Sequence, residues 1–370
     1  MPTARSCLTA LSALLLATLA IPACGNGAGT TEEAPVTLAD PTLVDRFESD
    51  LEGFEGFLAY PSRIAADADG NLYVVDSKDT RVVVLDRELR AVRVIGRQGE
   101  GPGEFGSLRN SMDSPVIAIR GGMLAVLDGA NRLSLFTTDG VFRSRFTVPP
   151  GTTDIDLMPS EDIVVVTRNG EHLVREYGPD GQLVRAYGQH FLRTDLLEAR
   201  RWLFNRCRVM ALPDGRIATF GLSWPRLRIY EDGELLAESR LDMRCLLPGL
   251  EGLEDAEKLQ QSFADIAADF EEHPPEAVNR ALESGTYTAE HPGFPGTGLI
   301  LQFEQRDGSI WLQTWGLLFE ITEHAHVVRI VRSSRGRHFP NSMTFVGERL
   351  YFVHPDSGQI GFMPAAGPGE

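Results

Sequence analysis

The stretch Tyr60-Pro61-Ser62-Arg63-Ile64-Ala65-Ala66-Asp67-Ala68-Asp69-Gly70-Asn71-Leu72-Tyr73-Val74-Val75-Asp76 decides the fold, together with Arg81-Val82-Val83-Val84-Leu85-Asp86 and the closing Gly99-Glu100-Gly101-Pro102-Gly103-Glu104-Phe105. Asp69-Gly70 is a turn signal between two apolar runs of strand length, and the polar knot from Asp76 to Thr80 separates the second run from a third. The segment reads as a β-meander. A lone meander cannot bury its own faces, so it must be one unit of something repeated.

The other copies keep the order of signals while losing most of the polar signature. The second runs from Ile117 through Met123-Leu124-Ala125-Val126-Leu127-Asp128 and Arg132-Leu133-Ser134-Leu135-Phe136 to the turn Asp139-Gly140. The third has Ile155, Ile163-Val164-Val165-Val166 and Leu173 to Tyr177. The fourth has Val209 to Leu212, Asp214-Gly215, Arg226 to Tyr230 and Asp232-Gly233. The fifth has Ile300 to Phe303, Ile310 to Gln313 and Leu317 to Ile321; the sixth has Met343 to Val346, Leu350 to Val353 and Ile360 to Phe362, and stops one strand short. Successive turn glycines lie about forty to fifty residues apart, the period of four-stranded propeller blades. Thr42 to Phe47 is the candidate for the missing outer strand, which would close the ring and remove an unpaired edge.

Residues 61 to 105 resemble an NHL-type repeat, one blade of a six-bladed β-propeller: Pro61, Asp67-x-x-Gly70-Asn71-Leu72-Tyr73-Val74-x-Asp76, Arg81-Val82-x-Val84, then Gly99-x-Gly101-x-Gly103-x-Phe105. The expected architecture is all-β. It comprises a six-bladed propeller over 40–365, closed by the N-terminal strand, with a helical insertion at 246–298 between blades four and five and a short tail at 366–370.

The N-terminus reads as a targeting segment, residues 1–23. Arg5 supplies positive charge, Leu8 to Ile21 is an apolar run too short to span a bilayer, and Ile21-Pro22-Ala23-Cys24 resembles a bacterial lipobox, in which the cysteine carries lipid. An ordinary secretory signal cleaved near Ala23 or Gly25 is the alternative. Residues 24–39 read as a flexible tether, Gly-, Thr- and Glu-rich over Gly25 to Pro35. The expected location is therefore the bacterial cell envelope, lipid-anchored and periplasmic or outer-membrane associated. Cys7 leaves with the signal, so Cys207 and Cys245 remain as a candidate disulfide flanking the fourth copy. Two separate buried thiols are the other reading.

The formal net charge of −17, from 52 acidic and 35 basic residues, argues against a nucleic-acid role, which needs a basic footprint. Against that background Arg63, Arg206, Arg208, Arg337 and His338 all stand shortly before the first strand of a blade, as do Asp113 and Asn341. Blade-entry segments converge at the channel mouth, where guanidinium groups offer bidentate contacts to carboxylate or phosphate. These seven are the candidate ligand-binding residues. The competing reading is that the arginines simply pair with nearby Asp and Glu.

Within the insertion, Leu259, Phe263, Ile266, Ala267 and Phe270 recur at helical spacing with an acidic opposite face. Pro274-Pro275 ends that helix, and a second contains Val278, Ala281 and Leu282. The pair either caps the channel mouth or covers apolar surface on the rim.

Enzyme motifs fail. Gly99-x-Gly101-x-Gly103 is followed by no Gly-Lys-Ser/Thr, and neither Gly-x-Ser-x-Gly nor His-Glu-x-x-His occurs. The residues imply no cofactor and no metal ligands. The sequence thus reads as an envelope-anchored binding or scaffolding module for a small anionic ligand or a protein partner. The alternative is a propeller lyase or lactonase-like hydrolase, with or without a divalent metal, acting on a small anionic or sugar-derived substrate.

Overall fold

The computed structural model describes residues 36–38, 42–108, 115–191, 205–222, 225–241, 277, 280, 284, 302–306, 309–313, 317–333, 342–354 and 358–364. Two short strands, β1 (Val36–Leu38) and β2 (Thr42–Val44), precede the repeats. Blade one is β3 (Pro61–Ala66), β4 (Leu72–Asp76), β5 (Arg81–Leu85) and β6 (Ala91–Ile95). Blade two is β7 (Val116–Arg120), β8 (Met123–Leu127), β9 (Arg132–Thr137) and β10 (Phe142–Thr147). Blade three is β11 (Thr152–Leu157), β12 (Ile163–Thr167), β13 (Val174–Tyr177) and β14 (Leu183–Tyr187). Blade four is β15 (Cys207–Ala211), β16 (Ile217–Gly221), β17 (Arg226–Glu231) and β18 (Glu234–Arg240). Blade five is β19 (Gln302–Arg306), β20 (Ser309–Gln313), β21 (Leu317–Ile321) and β22 (Val327–Ser333). Blade six is β23 (Met343–Val346), β24 (Arg349–His354) and β25 (Gln359–Pro364).

Each blade is an antiparallel meander whose first strand lies innermost. The inner strands touch in ring order, β3 to β7, β11, β15, β19, β23 and back to β3. That contact order makes a closed six-bladed propeller. β2 pairs antiparallel with β25, Thr42 opposite Phe362 and Val44 opposite Ile360, so the strand expected to close the ring does so. The inner seam is also joined by a side chain: the Ile64 amide donates to Ser342 Oγ at 3.1 Å, tying blade one to blade six.

One feature lies inside the stretch read as tether. β1 runs parallel to β22, Val36 opposite Val331 and Leu38 opposite Ser333, and adds a fifth strand to blade five. The N-terminal segment therefore engages two neighbouring blades. Of the insertion, only Ala277, Arg280 and Ser284 are described; the first two are helical, and the Ser284 amide donates to the Arg280 carbonyl at 3.0 Å. The helix expected from Leu259 to Phe270 lies outside the described residues.

The core follows the seams between blades. Central strands present side chains to both neighbouring blades, so they read as continuous apolar runs, as in Leu72 to Val75 and Ile163 to Val166.

Candidate functional site

The strong polar signature of blade one proves to be structural. Asp76, at the end of β4, is fully buried and accepts hydrogen bonds from the Ala59 and Tyr60 amides at 3.0 and 2.9 Å and an ion pair from Arg81 at 3.3 Å. Asp128 repeats the device in blade two, accepting from the amides of Gly106 at 2.8 Å and Ala130 at 2.9 Å, and from Arg132 Nε at 2.9 Å. Each carboxylate clamps the chain entering its blade to the loop between its second and third strands. Register places Thr167 of blade three where Asp76 stands in blade one, since Thr152 pairs with Thr167 as Pro61 pairs with Asp76. The clamp is absent there.

The channel wall carries charge of another kind. Thr152-Thr153-Asp154-Ile155-Asp156-Leu157 forms β11, with two carboxylates two residues apart on one side of an inner strand. Asp154 Oδ2 accepts the Val209 amide at 2.9 Å and Asp156 Oδ2 accepts the Ala211 amide at 2.8 Å. The edge amides of β15 would otherwise face the channel without a strand partner, and these carboxylates satisfy them. At the mouth end Asp154 also pairs with Arg208, 3.5 Å away, and Arg63 acts on it from the other side of the ring. One step deeper, Arg120 Nη2 donates to the Ala211 carbonyl at 2.7 Å and its charge bears on Asp156.

Burial raises the Asp154 carboxyl above its usual range, opposed by Arg208, the Val209 amide and Arg63. Burial likewise pushes Asp156 up to about 6, with Arg120 and the Ala211 amide pulling the other way. A carboxyl with that pKa exchanges its proton near neutrality, a property concentrated at functional sites.

Of the residues singled out in the sequence, Arg63 and Arg208 lie within the inner strands β3 and β15 of opposite blades rather than before them; Arg208 reaches Asp154 at 3.5 Å, and Arg63 acts on the same carboxylate through its charge. Arg206 precedes β15 and is only 7% exposed, so it belongs to the wall rather than the open mouth. Asp113, Arg337, His338, Asn341, Cys24 and Cys245 lie outside the described residues. Cys207 is a fully buried thiol whose pKa burial pushes up to about 12. Sequence reasoning missed Asp154, Asp156 and Arg120. Their signal was present: two carboxylates at a spacing of two in a strand otherwise fit for burial.

The seam between blades three and four is polar as well. Tyr187 Oη donates to Glu176 Oε1 at 2.6 Å in the interior, and Arg185 approaches the same carboxylate at 3.5 Å. Arg228 stacks on Phe191 with 3.9 Å between guanidinium carbon and ring centre, bonds the Gln189 carbonyl at 2.6 Å, and pairs with Glu238. Beside it, burial lowers His190 to about 4, and Arg175, Arg228 and His172 add to the effect. Among the described residues no group of three or more His, Cys, Asp or Glu side chains is placed to hold a metal.

No protein-family model and no curated protein matches this sequence. Among solved structures, a Bacteroides fragilis protein thought to be exported superposes with a TM-score of 0.51 at 9% identity, over 90% of this chain and 96% of its own. Virginiamycin B lyase from Staphylococcus aureus superposes at 0.48 with 12% identity, over 88% of this chain and 99% of its own. A streptogramin B lyase gives 0.48 at 13% identity, over 87% and 97%. At such identities the likeness concerns the fold alone. The ring of six inner strands establishes a six-bladed β-propeller, and the likeness at a TM-score of 0.51 agrees with that fold.

Proposed function

We propose that this chain is an exported propeller of NHL-like type, lipid-anchored through Cys24 in a bacterial envelope, that binds a small anionic ligand at the channel mouth. The observation that carries the reading is that Arg208, 3.5 Å away, and Arg63, from the opposite blade, both act electrostatically on the Asp154 carboxylate in a chain of net charge −17. At 3.5 Å the Arg208–Asp154 contact is at the long end of an ion pair, so an incoming carboxylate or phosphate with bidentate geometry competes for the guanidinium on favourable terms. Salt screens charges beyond about 8 Å at physiological strength, so the local pair, not the acidic surface at large, governs a ligand seated there.

A thermal-shift screen of the full chain against small carboxylic acids, sugar acids and phosphates tests the binding. Stabilisation by at least one anion is expected, reduced in Arg63→Ala and in Arg208→Ala. No stabilisation, or stabilisation unchanged from wild type in both variants, removes the ligand and leaves a scaffold. The anchor is tested separately: Cys24→Ala should release the protein from the membrane fraction, and retention would place the anchor elsewhere. Peptide mapping without reductant tests whether Cys207, a free thiol in this structure, is bonded to Cys245 in the exported protein, which free thiols at both positions would rule out.

Asp156 favours a second reading. A carboxyl pushed up to about 6 in the channel wall beside Arg120 is a candidate proton donor and acceptor for chemistry on a small anionic or sugar-derived substrate. Under that reading Asp156→Asn abolishes turnover while leaving anion binding in place.

A further inference from the structure

The channel wall carries its charges at two heights. One pair in from the start of the inner strand stand Arg63, opposite Val75 in blade one, Asp154, opposite Val166 in blade three, and Arg208, opposite Phe220 in blade four. They share a level at the mouth. Two residues further along the same strands come Ala65, Asp156 and Met210, roughly 7 Å deeper at the ordinary rise of a strand. Arg120, at the end of β7, acts on Asp156 and donates to the carbonyl of Ala211, the residue after Met210, so it joins the deeper level.

The two levels differ in charge. Among the described residues the mouth level sets the guanidinium groups of Arg63 and Arg208 against the single carboxylate of Asp154, whereas the deeper level sets Arg120 against Asp156 and is neutral. Arg63, Arg120, Asp156 and Arg208 all keep part of their surface exposed. Asp156 is not exhausted by the fold. Its Oδ2 accepts the Ala211 amide and its Oδ1 the Leu157 amide, both at 2.8 Å, and each carboxylate oxygen has a second lone pair. Arg120 makes one side-chain hydrogen bond among the described residues, out of the several N–H groups that a guanidinium offers.

A ligand group seated at the deeper level therefore meets an acceptor and a donor together. A hydroxyl serves both, donating to Asp156 and accepting from Arg120. An ammonium would only donate and would face the Arg120 charge, and a second carboxylate would only accept and would face Asp156. We propose that the ligand is a polyhydroxy acid of about six carbons, with its carboxylate at Arg63 and Arg208 and a hydroxyl of its far end between Asp156 and Arg120, the roughly 7 Å between levels setting its length. The proposal rests on the reading of the mouth as an anion site.

Calorimetric titration of the full chain with gluconate, hexanoate, ε-aminocaproate and glucose is the test. Gluconate should bind about tenfold more tightly than each of the others, the worth of one hydrogen bond to a charged group. Asp156→Asn keeps an oxygen for the Ala211 amide; it should bring gluconate down to the affinity of hexanoate and leave hexanoate unchanged, and Arg120→Gln should do the same. Arg208→Ala should weaken both acids alike. The comparison of ligands in wild type decides the matter even where a variant fails to fold. Hexanoate or ε-aminocaproate binding as tightly as gluconate overturns the proposal while the anion site stands. Selectivity for gluconate that survives in both Asp156→Asn and Arg120→Gln places its hydroxyls elsewhere and overturns it too. Glucose binding as tightly as gluconate removes the anion site and the proposal together. No binding by any of the four overturns the proposal, and the phosphates of the thermal-shift screen then decide the anion site by themselves.

Discussion

The seam between blades one and two and the seam between blades three and four solve the same packing problem with different chemistry. The first is filled by Tyr73, Val75, Val82, Val84, Ile95, Leu124, Val126 and Phe136, and sealed by Phe105, which is fully buried and meets Phe136 edge-on at 5.6 Å. Its charges lie at the two ends: the Asp76 and Asp128 clamps, with Arg132 paired to Glu100, at one, and Arg93 donating to the Thr138 carbonyl at 2.8 Å at the other. The second runs charge through its interior, from Arg185 and Glu176 through Tyr187 to Arg228 and Glu238. Gly96 and Gly188 mark the same point in the two seams, both at positive φ, 72° and 75°. A Cβ on Gly96 would come within 2.1 Å of the Phe105 ring, whereas on Gly188 it would meet the Tyr230 hydroxyl at 3.0 Å. The glycine survives where the aromatic lock has been exchanged for a polar one, because the backbone turn needs φ > 0 in either case.

If the apolar seam is the stiffer of the two, Phe105→Ala should cost about 3–5 kcal/mol, the range for emptying a buried aromatic site, and Phe191→Ala clearly less. Urea midpoints at constant m would measure both; equal losses would erase the contrast. Asp76→Asn should cost about 1.5–3 kcal/mol by weakening charge-assisted bonds to two amides and Arg81. Thr167→Ala, at the equivalent place in blade three, should cost under about 1 kcal/mol by the same reasoning. A large Thr167 effect would mean that blade three has its own clamp.

Within the polar seam, Tyr187→Phe removes the hydroxyl that serves buried Glu176 and should cost about 1–3 kcal/mol. No loss would show that Arg185 alone satisfies the carboxylate.

The smallest expected effect is a change in pH slope. Asp156 is raised in the fold, from an ordinary value near 3.8 to about 6, so its contribution to stability is full below pH 3.8 and is lost as pH rises through 6. His190 is lowered from 6.5 to about 4, so its contribution is full above pH 6.5 and is lost as pH falls through 4. The two oppose each other across pH 4–6. Chemical denaturation from pH 4 to 7 should show stability rising more steeply with pH in Asp156→Asn and more shallowly in His190→Gln. The same slope in both variants and wild type would place neither group in the titration.

How legible each part was follows from how local its cause is. The strands, the turns and the closing role of Thr42 to Val44 could be read because alternation, Asp-Gly turns and a missing strand are properties of short segments or of a count. The clamp around Asp76 was visible as a polar knot, but its purpose was not, since its partners Ala59 and Tyr60 are 17 and 16 residues upstream. Of the arginines proposed for the mouth, Arg208 pairs with Asp154, Arg63 acts on it through its charge, and Arg206 is buried in the wall. Nothing in the local sequence separates Arg206 from Arg208, two residues apart.

By itself, then, the sequence determined a repeating all-β chain, its blade period, its closure by the N-terminal segment and its acidic balance, because each depends on residue pattern alone. Only the tertiary structure decided which charges act on one another across the channel, that β15 draws its edge partners from Asp154 and Asp156, and that β1 joins blade five. Those facts depend on ring closure, which brings residues as far apart as Ile64 and Ser342 within 3.1 Å, and no local pattern encodes a distance of that kind.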